Sequence, residues 1–308
     1  MPIPMPRILL AAAALLLASC STFDLQGHRG ARGLAPENTL PAFAVALAIG
    51  VDTLELDTGV TRDGVVVIGH DPLLNPDIAR DASGKWLEKK GPAIHDLTFA
   101  ELQAYDIGRL KPGTTYASRY PEQKPVDGTR YAKLADLFAM VKQSGNDSVR
   151  FNIETKISPE APGETLAPEP FVRALLEVID ANGMAGRVTI QSFDWRTLGI
   201  SRRIAPAIPT VCLTAQQKFF DNVRAEKVSP WTAGIQFADH GSVPKMVKAA
   251  GCTVWSPYFG DVDAASVAEA HALGLKVIVW TVNEPAKGKA LVELGVDGII
   301  TDRPDLMK

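Results

Sequence analysis

Apolar and polar positions along this chain follow two alternating periods. Residues 24–28 read as a first strand, ending in His-Arg-Gly. Leu40, Phe43, Ala44, Leu47 and Ala48 then fall on one helical stripe, with Asn38 or Thr39 placed to cap it and Gly50 to stop it. The pattern returns to strand over 52–60, and Asp63-Gly64 marks a tight turn into 65–69, so this strand folds back as a hairpin. From about 72 to 130 the rhythm breaks into Pro, Gly and charge, with one short helix after Thr98, where Thr98 and Glu101 have capping-box spacing. Such a stretch reads as an insertion too poor in apolar residues for a core of its own. Alternation then resumes, with strands at 149–156, 188–193, 210–214, 253–257, 276–282 and 298–301. Helices fall at 133–143, 170–182, 195–204, 243–250, 264–273 and 285–294. Leaving out the hairpin's return arm, eight parallel-type strands alternate with helices. That count predicts an α/β fold, a TIM (β/α)8 barrel with a capping insertion after the second strand's hairpin. A doubly wound open sheet is the alternative, but no G-x-G-x-x-G turn follows the first strand.

The first residues follow a different pattern. Arg7 precedes an apolar run from 8 to 18 that closes on Leu17-Ala18-Ser19-Cys20. A basic start, a short apolar region and small residues describe a signal peptide over 1–19. A cysteine in that place resembles a bacterial lipobox, so Cys20 is the expected lipidation site and 20–308 the processed chain. Ser21 favours sorting to the outer membrane. The expected location is therefore periplasmic, on a lipid anchor. No apolar run reaches 18 residues, so no spanning helix is expected after processing. Two cysteines remain, Cys212 and Cys252, and both are expected to be buried and free.

Composition narrows the function. The 308 residues are 46% hydrophobic and 22% charged, with a net charge of −3. That is a globular balance with no basic footprint for nucleic acid.

The chemistry concentrates at predicted strand ends. Residues i and i+2 of a strand share a side, so Glu55 and Asp57 face together while Leu54 and Leu56 face the helices. Glu154 and Lys156 repeat this on the next parallel strand, His28 ends its strand on the same rim, and His70, which could also sit in a turn with Asp71, follows the return arm of the hairpin. Active sites of barrels lie at those carboxyl ends. An i, i+2 carboxylate pair alone is more often a solvated strand face; the joint occurrence is what marks a site. Three converging carboxylates repel one another unless a cation joins them. An all-oxygen set of Glu55, Asp57 and Glu154 suits Ca²⁺ or Mg²⁺. Arg29 and Lys156 then offer positive charge to an anion, and His28 and His70 can move protons. The pattern points to phosphate-ester chemistry. His95, His240 and His271 read as structural or solvated. Phe193, Phe259 and Trp280 lie near the rim, with Trp280 the preferred substrate contact.

These motifs, in one order over nearly the whole processed chain, resemble the glycerophosphodiester phosphodiesterase family. They are Gly27-His28-Arg29-Gly30, Pro36-Glu37-Asn38-Thr39, Glu55-Leu56-Asp57, Thr61-Arg62-Asp63-Gly64 and His70-Asp71. Glu154-Thr155-Lys156, Gln191-Ser192-Phe193, Trp280-Thr281-Val282-Asn283 and Thr301-Asp302-Arg303-Pro304 continue the series. The resemblance implies a capped TIM barrel that hydrolyses glycerophosphodiesters to sn-glycerol 3-phosphate and an alcohol. It implies Glu55, Asp57 and Glu154 as metal ligands, His28 and His70 as the acid–base pair, and Arg29 and Lys156 on the phosphate. Exported members similar to this chain use Ca²⁺. Thr58-Gly59 and Gly69 depart from the commoner wording of the family without removing a catalytic group. The rival readings are a phospholipase-type cleavage of intact lipid and a surface-binding lipoprotein without turnover.

Overall fold

The computed structural model describes residues 23–308, so the signal peptide expected over 1–19 and the expected lipidation site Cys20 lie outside the described residues. The chain opens with β1 (Asp24–Gly27), α1 (Leu40–Ile49), β2 (Thr53–Val60) and β3 (Val66–Ile68). The insertion carries two single-turn helices, α2 (Phe99–Leu102) and α3 (Thr115–Ser118). Next come α4 (Leu134–Gln143), β4 (Arg150–Thr155), α5 (Pro168–Ala181), β5 (Val188–Ser192), α6 (Trp195–Ile204) and β6 (Thr210–Thr214). A small hairpin of β7 (Gln216–Gln217) and β8 (Phe220–Asp221) precedes α7 (Phe237–His240) and α8 (Val243–Ala249). The chain ends with β9 (Val254–Pro257), α9 (Ala264–Ala272), β10 (Lys276–Val279), α10 (Pro285–Leu294) and β11 (Gly298–Thr301).

Among the described residues, eight strands pair in parallel in the order β1-β2-β4-β5-β6-β9-β10-β11, and β11 returns to β1. The sheet is closed, which selects the TIM barrel over the open alternative. β3 runs antiparallel along the rim half of β2, as the Asp63-Gly64 turn requires. α1 forms where the stripe placed it. The Thr39 hydroxyl accepts from the Ala42 N–H, Pro41 sits in the first turn, and Gly50 closes the helix in the left-handed region.

The period-two pattern sorts the strands' side chains into two layers. Leu54, Leu56, Phe151, Ile153 and Ile190 are fully buried between barrel and helices. Inside, Val211, Val254, Ile278 and Ile300 form a separate apolar cluster from four consecutive staves.

One expectation is corrected, that of free cysteines. The insertion has a share in a small core: Leu74, Ala79, Ile94, Leu102 and Ile107 bury against Val67 and Tyr131. The insertion folds back on the outer face of the hairpin and borrows the hairpin's apolar side chains, so its own sparse residues suffice. The predicted capping box at Thr98 and Glu101 is present in α2. The cysteines are not free: Cys212 and Cys252 form a disulfide, with Cα atoms 5.9 Å apart. Cys212 lies on β6 and Cys252 just ahead of β9, two strands far apart in the chain that barrel order makes neighbours. That separation suits a bridge, and both side chains are buried, as expected.

The bridge closes a loop of 40 residues. A chain-entropy estimate gives about 4 kcal/mol for such a loop. A Cys212→Ala/Cys252→Ala variant is therefore expected to melt roughly 5–10 °C lower than the oxidised protein. Equal melting temperatures for variant, reduced and oxidised protein would show that the bridge adds nothing.

Candidate active site

The rim of the barrel is shaped first by backbone. Arg29 (φ 52°) and Gly30 (φ 86°) both adopt left-handed conformations directly after β1. A Cβ on Gly30 would lie 2.7 Å from the Ala42 carbonyl carbon in α1, so only glycine fits there. The bend turns the Arg29 N–H back onto Glu55 Oε2 at 2.8 Å. Asn38 is also left-handed (φ 55°). Its side chain donates to Asp57 Oδ2 at 2.8 Å and accepts from the Asp57 N–H at 3.3 Å. Glu37 accepts from Arg29 Nη1 at 2.5 Å. The Pro36–Thr39 loop thus pairs Arg29, holds Asp57 and caps α1 with three successive side chains.

Parallel register brings the carboxylates together. Asp57 on β2 lies opposite Glu154 on β4. Glu55, Asp57 and Glu154 are all buried, and each offers an oxygen within 4.8 Å of the others. Lys156 Nζ is 3.0 Å from Glu154 Oε1 and 3.7 Å from Asp57 Oδ1. Arg29 Nε is 3.3 Å from Asp57 Oδ2. A cavity of about 330 Å³ opens above, lined by His28, His70 and this cluster, with Phe193, Phe219 and Trp280 opposite. All eight residues predicted for the barrel site therefore meet in one place. Phe259 does not line the cavity; it packs on Tyr258, ring centroids 4.5 Å apart. His95, His240 and His271 also lie off it, and His271 pairs with Asp297 at 2.9 Å.

Each histidine has its own carboxylate. His28 Nδ1 is 2.7 Å from Asp302 Oδ1, just past β11. Asp302 also accepts from Arg32 Nε (2.7 Å) and Asn283 Nδ2 (2.8 Å), so it is fixed from three sides. A carboxylate only accepts, and Arg32 Nη2, 3.1 Å from the same ring nitrogen, has Asp302 Oδ2 as its acceptor at 3.1 Å, so the His28 proton sits on Nδ1 and the Nε2 lone pair is left free, 3.9 Å from Glu55. His70 Nδ1 is 2.8 Å from Asp71 Oδ1, and Asn75 donates to the other Asp71 oxygen.

The electrostatics follow from burial and neighbours. Burial, then Asp57, raises Glu55 well above the ordinary carboxylate range. Burial, with Asp57 adding to it against Lys156, lifts Glu154 to about 7. For Asp57 burial acts upward too, but His70, Lys156 and Arg29 together hold it well below its ordinary value. Burial and the Arg32 guanidinium push His28 down to about 4, against the pull of Asp302. Burial, Arg29 and Lys156 lower His70 as well. Both imidazoles are neutral at pH 7. Two carboxyls that resist ionisation beside a third already ionised form a site short of positive charge. Its all-oxygen donor set fits a hard divalent cation.

Sequence reasoning missed Asp302, Arg32, Gln191 and Asn38 as parts of the site. Asp302 and Gln191 fell inside motifs at strand ends, and position there was their only signal. Gln191 Nε2 donates to Glu55 Oε1 at 2.7 Å.

Residues 28–306 match the model of the glycerophosphoryl diester phosphodiesterase family. The chain belongs to that family. It is 29% identical to the glycerophosphodiester phosphodiesterase of Bacillus altitudinis, over 90% of this chain and 94% of that one. A crystal structure from Silicibacter pomeroyi DSS-3 with the same family designation has 38% identity and a TM-score of 0.82, covering 94% of this chain and 92% of that one. A phosphodiesterase from Oleispira antarctica, solved in complex with the product sn-glycerol-3-phosphate, shares the fold at a TM-score of 0.65 and 21% identity, covering 92% and 94%.

Glu154 must shed its proton before it can ligate a cation. Because burial and Asp57 hold it at about 7, Ca²⁺ affinity measured by calorimetry is expected to rise as pH is raised from 6 to 8. The rise should be accompanied by proton release at pH 6, seen in buffers of different ionisation enthalpy. Affinity independent of pH across that window contradicts the assignment.

Proposed function

We propose that the protein is a metal-dependent hydrolase of glycerophosphodiesters, releasing sn-glycerol 3-phosphate and an alcohol. One observation carries this reading: a buried triad of oxygen ligands lies between two carboxylate-oriented histidines in a single cavity. The family supports it, and so does the product held by the Oleispira relative.

Glu55, Asp57 and Glu154 would hold Ca²⁺, or Mg²⁺ in its place. Such a cation supplies Lewis-acid polarisation of phosphoryl oxygen. The chain's own residues do the rest. Arg29 and Lys156 place cationic groups beside the triad, where a phosphodiester anion binds. His28, neutral and with Nε2 free, takes the proton of the attacking hydroxyl. That hydroxyl belongs to water, or to the substrate's own glycerol by way of a cyclic phosphate. As the new P–O bond forms, the bond to the alcohol breaks, and the departing oxygen takes a proton from His70 in its imidazolium form; His28 then loses its proton to solvent and His70 regains one, which closes the cycle. Asp302 and Asp71 stabilise the imidazolium forms as each proton moves. Trp280, its indole N–H locked on the Ser256 carbonyl at 3.0 Å, presents its ring to the glycerol carbons beside Phe193.

We also propose export and anchoring through lipidated Cys20, with the protein held in the periplasm at the outer membrane. The Cys212–Cys252 disulfide supports an oxidising compartment. Mass spectrometry of the mature N-terminus is expected to find a diacylglyceryl cysteine; an unmodified N-terminus overturns the proposal.

Purified protein should release glycerol 3-phosphate from glycerophosphocholine and leave intact phosphatidylcholine uncleaved. EDTA should abolish turnover and added Ca²⁺ or Mg²⁺ restore it. His28→Ala and His70→Ala should each lower kcat by roughly 10²–10⁴. Near-normal turnover in both variants contradicts the proton-transfer scheme. Lipid cleavage points instead to a phospholipase, and no product from either compound to a binding protein.

A further inference from the structure

The inner face of the barrel is divided. Four staves turn Val211, Val254, Ile278 and Ile300 to the axis. The facing staves, β1, β2, β4 and β5, carry Gln26, Thr53, Asn152 and Thr189 instead. Hydrogen bonds join these polar groups from the amino end of the barrel to the acidic triad. At the far end Asp24 accepts from Arg150 Nη2 (2.9 Å), Thr53 Oγ1 (2.8 Å) and Gln26 Nε2 (3.0 Å). Asn152 Nδ2 donates to Gln26 Oε1 (3.0 Å) and to Gln191 Oε1 (2.9 Å). Gln191 Nε2 donates to Glu55 Oε1 (2.7 Å), and Thr189 Oγ1 donates to Asn152 Oδ1 (2.9 Å).

The two carboxylates dictate the direction of every bond. Glu55 is ionised when it ligates a cation, and ionised carboxylates only accept. Gln26 must therefore give its NH₂ to Asp24, and Gln191 must give its NH₂ to Glu55. Both glutamines are left presenting a carbonyl to the same neighbour. Asn152 satisfies them by donating both of its amide hydrogens, one to each. Its own carbonyl takes the Thr189 hydroxyl. Turning any one amide over places two acceptors together in a buried interior, at a cost that settles the orientation.

Glu55 is thereby held at both oxygens. Oε2 is fixed by the Arg29 N–H and Oε1 by Gln191. The second hold depends on Gln191 keeping its amide in place, and Asn152 holds it from the other side by donating to the Gln191 carbonyl. Asn152 belongs neither to the triad nor to the cavity lining.

We propose that Asn152 is a positioning residue for the metal site, acting through Gln191 to fix the orientation of Glu55. The role rests on the metal-dependent reading given above and adds a residue one row beneath the cavity. Outer groups that orient ligands contribute roughly 10–100-fold to metal affinity.

A double-mutant cycle on Ca²⁺ affinity, read by calorimetry at one pH, tests this without any turnover measurement. Gln191→Leu should weaken binding roughly 10–100-fold, and Asn152→Leu should weaken it in the same direction. The double variant should bind no more weakly than Gln191→Leu alone, because Asn152 acts only through Gln191. Wild-type affinity in Asn152→Leu overturns the proposal, even if its melting temperature falls, since that is what a purely structural residue would give. Losses that multiply in the double variant overturn it too. If Asn152→Leu does not fold, Asn152→Ser carries the same cycle and criteria. Absence of Ca²⁺ and Mg²⁺ binding in the unaltered protein would instead overturn the metal-dependent reading, and this role with it.

Discussion

The mutual repulsion of Glu55, Asp57 and Glu154 is the constraint on which the rest of the site depends. Charges within 4.8 Å of one another repel by on the order of 3 kcal/mol per pair at an effective dielectric near 20. That is a sizeable share of the 5–15 kcal/mol by which domains are stable. The chain meets it with single donors placed one by one. Lys156 lies against Glu154, Asn38 and Arg29 against Asp57, and a backbone N–H and the Gln191 amide against Glu55. These contacts orient the oxygens but do not neutralise three charges. Glu55 and Glu154 stay reluctant to ionise, and that shortfall is what a divalent cation makes good.

The two histidines are served by different kinds of proximity. Asp71 is the next residue after His70, so that pair is local. Asp302 reaches His28 across 274 positions in the chain. It does so only because β11 pairs with β1, bringing Thr301 level with Gly27. Closure of the barrel is therefore an electrostatic event as well as a packing one. It delivers the carboxylate that fixes the His28 tautomer, while Arg32, local to His28 in the chain, opposes the pull of that carboxylate and keeps the imidazole neutral.

What was legible in the chain divides along the same line. Period-two alternation identified the strands, and it placed Glu55 with Asp57 and Glu154 with Lys156 on one side of each. Local capping at Thr39 and at Thr98 was readable from neighbouring residues. Partners set only by register were not. Nothing near Gln191 or Asn152 in the sequence says that they meet in the barrel axis, and nothing near Cys212 says that Cys252 begins the adjacent stave. The insertion's apolar cluster escaped notice for a related reason. Its residues recur at no fixed period, and they bury against Val67 and Tyr131, which lie outside the insertion.

The insertion has one more contact of a different sort. Tyr116, in α3, donates its hydroxyl to Glu37, and Glu37 holds Arg29. A segment that reads as an accessory lid is thus wired to a cation of the catalytic rim. Loops on barrels are commonly pictured as parts that evolution exchanges freely above an unchanging scaffold. Here exchange has a cost: a shorter loop would leave Glu37 with one partner fewer and loosen Arg29. The Tyr116–Glu37–Arg29 contacts join the insertion and the Pro36–Thr39 loop into one hydrogen-bonded unit rather than two.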